Sequence, residues 1–205
     1  MKKMLCVGTF LLFLVSVTHS AVEIRGGLLV SAAPDTAVDM FGSGLSWGIS
    51  VRKEFMPMLK LGVGFDSVFM MQSGIARSDL TDAVINAFVG LDNERYDVDY
   101  RMLPIYVEGM LDFPVIYAVA GMGIYPTWIS IQELYIDDNG DDAEREIYSN
   151  ARTRFGTFFG GGIRFEVDEM IIRFGLRYHV MKVHKEIMDN NISAFSADIG
   201  IEMNF

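Results

Sequence analysis

Thiols are almost absent from this sequence. Its one cysteine, Cys6, lies within an apolar run at the N-terminus, so neither a disulfide framework nor a cysteine-based metal site can be built. Basic residues are also scarce, 17 against 27 acidic ones. That excess of acid excludes the phosphate-gripping surface nucleic-acid binding requires, and no nucleic-acid partner is expected. No apolar run reaches the ~20 residues of a membrane-spanning helix. Walker A, G-x-G-x-x-G and H-E-x-x-H patterns are missing, His179 and His184 being five apart. The expectation is therefore no enzyme, no catalytic residues, no cofactor and no metal.

What is present is alternation. The first residues read as an export signal: Lys2 and Lys3, an apolar stretch over 4–17, then Thr18, His19, Ser20 and Ala21. Residues 1–20 are expected to be a signal peptide cleaved after Ser20 or Ala21, leaving 21–205 as one domain. A transmembrane anchor is the rival reading, but the run is too short to span. The remaining chain carries 15 basic and 27 acidic residues, a formal charge of −12. Yet 51% of the whole sequence is hydrophobic and its mean hydropathy is +0.27. Apolar residues spread by alternation rather than in blocks are what a membrane β-barrel shows.

Eight alternating stretches can be marked, over 22–31, 45–55, 59–70, 96–111, 115–129, 152–167, 170–183 and 192–205. The last sets Phe195, Ala197, Ile199, Ile201, Met203 and Phe205 on one face and Ser196, Asp198, Gly200, Glu202 and Asn204 on the other. The connections alternate strictly between long (32–44, 71–95, 130–150, 184–191) and tight (Met56-Pro57, Asp112-Phe113-Pro114, Val167-Asp168-Glu169). In an up-and-down meander this places every long loop at one end, as in outer-membrane barrels. The expected fold is all-β: an eight-stranded antiparallel up-and-down transmembrane β-barrel with short periplasmic turns and long extracellular loops.

The terminal Ile199-Gly200-Ile201-Glu202-Met203-Asn204-Phe205 resembles the C-terminal insertion signal of bacterial outer-membrane barrels. Met102-Leu103-Pro104-Ile105-Tyr106-Val107-Glu108, Tyr117-Ala118-Val119-Ala120-Gly121-Met122-Gly123 and Ile172-Arg173-Phe174-Gly175-Leu176-Arg177-Tyr178 extend the likeness. In architecture the mature chain resembles the small barrel superfamily of the OmpA transmembrane domain, OmpX and OmpW-like proteins. The resemblance implies an outer-membrane location, lipid as surroundings and recognition by the barrel-insertion machinery through Ile199, Ile201, Met203 and Phe205. It implies a role in envelope structure or surface interaction; an OmpW-like pore or conduit for small or hydrophobic solutes is the alternative.

A lipocalin is also eight-stranded and alternating, with its apolar face inside. Mixed charge signs on the polar face, an end on a strand, and aromatics gathered at strand ends favour the membrane form. The expected girdles are Phe55, Phe113 and Phe165 toward the short turns and Trp47, Trp128 and Tyr178 toward the loops. The polar faces then line the lumen with Arg25, Arg52, Glu54, Lys60, Asp66, Glu108, Arg164, Glu166, Arg173, Arg177, Asp198 and Glu202. An eight-stranded barrel is only just wide enough to be filled by side chains, and charges in it must pair. A salt-bridged plug is expected, with Arg173 opposite Glu202, Arg177 opposite Asp198, Glu54 opposite Lys60 and His179 opposite Ser196. The last pair suggests a lumen hydrogen bond rather than a hydrolase.

Two loops stand out as places for an extracellular ligand, 71–95 and 130–150. In the first, Ser78 can cap a short helix carrying Leu80, Val84, Ile85 and Phe88 on one face, with Gly90 as its stop. The second holds Glu133, Asp137, Asp138, Asp141, Asp142, Glu144 and Glu146 against Arg145. A calcium loop ending at Glu146 would need its first ligand at Tyr135, so that motif fails; a solvated loop is expected.

Overall fold

The computed structural model describes residues 20–31, 43–76, 95–136, 141–182 and 191–204. Nine strands follow in order: β1 Ser20–Ser31, β2 Ser43–Met56, β3 Leu59–Ala76, β4 Arg95–Met102, β5 Ile105–Asp112, β6 Ile116–Ile136, β7 Asp142–Val167, β8 Met170–Lys182 and β9 Asn191–Asn204. Every pairing is antiparallel, and β1 pairs both with β2 and with β9, so the sheet closes on itself. Closure satisfies backbone donors and acceptors without leaving an edge along the wall.

The single stretch expected over 96–111 is two strands. Proline cannot donate to a ladder, and Pro104 breaks the ladder at the point where β4 passes into β5. The interruption is bridged on both sides, Leu103 donating to the Pro126 carbonyl and Asp66 donating to the Pro104 carbonyl, each at 2.9 Å. β4 and β5 therefore form one stave between β3 and β6, and the ring has eight staves.

The three tight connections fall where expected. At two of them the chain enters the left-handed region, Met58 with φ 68° and Asp168 with φ 53°. Aspartate tolerates this conformation; for methionine it is an uncommon choice.

The acidic connection over 130–150 differs from the solvated loop expected of it. β6 and β7 continue as a paired ribbon to Ile136 and Asp142. Opposite charges face across it, Arg145 Nη2 donating to Glu133 Oε2 at 2.5 Å. A register shift between Ile131 and Gln132 leaves Ile147 as a bulge. With water on its outer face, a ribbon can carry charges that a lipid-facing strand cannot. The helix expected near Ser78 lies outside the described residues, as do most of the connections over 32–44 and 184–191.

Burial follows the alternation. Ile24, Leu28, Leu45, Trp47, Ile49, Ile105, Val107, Met122, Ile124, Phe155, Phe159, Leu176, Phe195 and Ile199 are all exposed, while Glu23, Arg25, Arg52, Asp66, Glu108, Arg173, Arg177 and Glu202 are buried. The apolar face is outside and the charged face inside, the inverse of a lipocalin. From Leu59 to Phe69 the wall rises ten residue steps, about 33 Å along the strand and about 25 Å of height at a tilt of ~40°. That height matches the apolar band of an outer-membrane barrel.

Above that band the pattern inverts. On β4 and β6 the inward residues become mostly apolar, with Tyr96, Val98, Tyr100, Met102, Ile129 and Ile131 buried to 2% exposure or less beside buried Thr127 and Glu133. Their outward neighbours are polar: Asp97, Asp99, Arg101, Ser130 and Gln132. The outer face changes from apolar to polar at the level of Arg101 and Trp128, which are register partners.

Replacing Met58 by asparagine should relieve the left-handed backbone cost by about 1 kcal/mol. The expected result is a higher urea midpoint for the barrel refolded in detergent micelles, with an unchanged slope.

A filled lumen as the candidate functional site

The interior is built by residues two apart on each stave. β1 contributes Glu23 and Arg25, β2 Arg52, β3 Lys60 and Asp66, and β5 Tyr106, Glu108 and Asp112. β8 contributes Arg173, Arg177 and His179, and β9 Ser196, Asp198 and Glu202. Facing positions are often glycine, and this makes room for bulky partners. A Cβ on Gly200 would meet the Glu23 carboxylate, and one on Gly64 the Tyr106 ring.

Arg52 sits at the centre of the lower network. Its Nε donates to Glu108 Oε1 at 2.6 Å, Nη1 lies 3.1 Å from Glu202 Oε2, and the same nitrogen pairs with Glu23. Glu202 also pairs with Arg173, and with Lys60 Nζ at 2.7 Å. Asp112 receives Lys60 Nζ at 2.8 Å, Arg173 Nη2 at 2.9 Å and Arg164 Nη1 at 3.3 Å. Nearer the loops, Arg25 pairs with Asp66, which also accepts from the Tyr106 hydroxyl at 3.2 Å. Arg177 Nε lies 3.3 Å from Asp198 Oδ2. Six cations (Arg25, Arg52, Lys60, Arg164, Arg173, Arg177) thus meet six carboxylates (Glu23, Asp66, Glu108, Asp112, Asp198, Glu202).

The lumen is not wholly polar. Tyr106, Met110, Tyr117, Val119 and Phe158 form a buried apolar cluster, with the Tyr106 and Phe158 rings edge to face at 4.9 Å. The two halves are joined by cation–π contacts, Arg173 over Tyr117 at 5.5 Å and Arg177 over Phe158 at 5.4 Å.

Several expectations need correction. Arg173 is in register with Gly200 and Arg177 with Ser196, two residues away from the positions expected. A shift of two keeps every side chain on its face, and both arginines reach their acidic partners diagonally. His179 is in register with Ala194 rather than Ser196. The Ser196 hydroxyl donates to Asp198 Oδ2 at 3.0 Å, while His179 lies against the Phe158 ring. Glu54 is in register with Lys60 but is exposed at the short-turn mouth, as is Glu166, which lies 3.5 Å from Arg164. Glu23 and Asp112 were missed. Glu23 shares the parity of Arg25, and Asp112 that of Tyr106 and Glu108, so alternation would have found both; assigning Asp112 to a turn hid it.

Outside, Trp47, Trp128, Phe55, Phe113 and Phe165 are exposed and Tyr178 is half-buried, packed against Phe159 and Phe195. Ile199 and Ile201 are exposed on the outer face of β9 and Met203 is half-buried there; Phe205 lies outside the described residues.

The free space in the lumen lies at its short-turn end. A cavity of about 680 Å³ opens at the short-turn mouth, with Arg52, Lys60, Asp112 and Arg164 in its lining. Higher up, the gap among Arg25, Asp66, Arg177, His179 and Asp198 is about 10 Å³, the space of one water molecule at most.

Removing Arg52 would strand Glu23, Glu108 and Glu202 in the interior, and breaking a buried pair in this way costs about 3–5 kcal/mol. Arg52→Met should lower the stability of the refolded barrel by that amount in urea unfolding. Lys53→Met, one residue on and facing outward, should change it by less than about 1 kcal/mol.

No protein-family model matches the sequence, and no curated protein matches it. Among solved structures the chain is similar to Neisserial surface protein A, at 14% identity over 91% of this chain and 96% of that one, with a TM-score of 0.46. It is also similar to Ail, the attachment invasion locus protein of Yersinia pestis, at 11% identity, 91% and 99% coverage and a TM-score of 0.45. A third similar structure is the outer membrane protein OprG from Pseudomonas aeruginosa, at 10% identity, 92% and 97% coverage and a TM-score of 0.43. The likeness concerns fold alone. By its own strand pairing and burial, the chain is an eight-stave antiparallel barrel with an apolar outer face and a charged interior.

Proposed function

We propose that this protein is an exported integral barrel of a bacterial outer membrane, with a closed lumen, serving envelope structure or contact at the cell surface. In this reading residues 1–20 are removed on export and 21–205 form the barrel. The C-terminal strand, ending Met203-Asn204-Phe205, addresses it to the insertion machinery. The long connections face outward, so 71–95 and 130–150 are the places where an external ligand would be met.

The observation that carries the reading is the filling of the interior. Six cations balanced by six carboxylates occupy the lower lumen, an aromatic cluster lies beside them, and buried Tyr96, Tyr100, Met70 and Ile131 stand above. Charges that are paired this closely do not make way for a passing solute without leaving a partner bare in low dielectric.

The mature protein refolded in detergent should show heat-modifiable gel mobility, and the same sample in planar bilayers should give no discrete conductance. Folding in plain buffer without a mobility shift would remove the membrane assignment. Steady unitary channels would remove the closed lumen and put the conduit reading first.

A further inference from the structure

Glu54, at the short-turn mouth, has no cation of its own among the described residues. It is in register with Lys60, but Lys60 turns its Nζ to Asp112 and Glu202, at 2.8 and 2.7 Å. Glu166, the other acid at the rim, has Arg164 at 3.5 Å. Arg52, Lys60 and Arg164 line the cavity of about 680 Å³ beside Glu54, yet each is already held by other carboxylates. Ala21, on the neighbouring stave, lines the same cavity. It is buried, and it pairs with Arg52 on one side and Asn204 on the other.

We propose that the leader is cut at the Ser20–Ala21 bond and that the ammonium released on Ala21 pairs with the Glu54 carboxylate at the mouth. The inference rests on the export reading above and fixes the bond that reading requires. Hydrolysis of the amide by one water leaves the Ser20 carboxylate on the departing leader and an amine on Ala21, which is protonated near neutral pH. Ser20 stands opposite Lys53 on β2, so the Ala21 nitrogen lies roughly one and a half residues from the level of Glu54. That is about 5 Å along the strand and about 5 Å across to the next. Glu54 shares the inward parity of Arg52, and its side chain spans such a distance.

The next bond does not serve. A cut between Ala21 and Val22 would put the ammonium close to the level of Val51 and Met203, the register partners of Val22. Glu54 would then be about 8 Å away along the strand as well as about 5 Å across, out of reach. The charge would lie between apolar neighbours, where an unpaired ion is costly, and the pairing of Ala21 with Arg52 and Asn204 would be lost. In the uncut chain the same nitrogen is a neutral amide and Glu54 gains nothing. Removing the leader and pairing the last acid of the mouth are thus one event.

The test has two arms. The full precursor is expressed in a bacterium with an outer membrane, and the recovered chain is read by intact mass and N-terminal sequencing. Ala21 is the expected first residue. Any other cut overturns this inference alone, and an uncut chain withdraws the export reading with it. For the second arm, chains beginning at Ala21 or at a Gly-Ser extension of it, each with Glu54 or Glu54→Gln, are released from a cleavable fusion and refolded in detergent micelles. Acetic anhydride at neutral pH attacks only the free amine, so a carboxylate that keeps it protonated slows acetylation. Rates are read by mass spectrometry of the N-terminal peptide, relative to the urea-unfolded chain. Glu54→Gln should speed acetylation at least about fivefold in the chain beginning at Ala21 and less than about twofold in the extended one. No acceleration, or the same acceleration in both, overturns the pairing. Heat-modifiable mobility is read on every sample, and its absence in the parent beginning at Ala21 withdraws the barrel reading and the pairing together.

Discussion

The pairing of β1 with β9 is the constraint from which the rest follows. It removes the open edges of the wall wherever neighbouring staves pair, which is what a chain surrounded by lipid would need. Closing eight staves also fixes a narrow interior. Side chains pointing inward must then fill that space with their own atoms, and charged ones must find each other. The Arg52 cluster, the glycines opposite Glu23 and Tyr106, and the Tyr106–Phe158 packing are consequences of one closed ring.

The interior solves this problem differently at different heights. In the lower part the outer face is apolar, and polarity is turned inward and neutralised there by ion pairs. Above Arg101 and Trp128 the pattern reverses. Polar residues face out, and Tyr96, Val98, Tyr100 and Ile129 pack inside as they would in a water-soluble barrel. The same strands thus carry two patterns of opposite sense. The ribbon of β6 and β7 belongs to the upper part, which explains why its acidic residues are compatible with strand structure.

Much of this was legible in the residues. Period-two alternation marks the strands, the long-short rhythm of connections orders them as a meander, and even spacing along β5 identifies Tyr106 and Glu108 as inward. The fourth stave was read as continuous because alternation runs through Leu103 and Pro104; only the ladder reveals that proline splits its hydrogen bonding. The 130–150 connection was misread because high charge describes solvation, not backbone conformation. A strand with water on one face satisfies that composition equally well.

The sequence by itself therefore determined where the membrane-height strands lie, which face most of their side chains take, and that a charged interior would have to neutralise itself. Those are local properties, set by the two-residue period of an extended chain. Which charge meets which was decided only by the closed tertiary structure. Arg52 of β2 joins Glu108 of β5 and Glu202 of β9, and Arg25 of β1 joins Asp66 of β3. These contacts cross the lumen between staves that are not neighbours, and their distances depend on the diameter and stagger of the ring, which no spacing along the chain encodes.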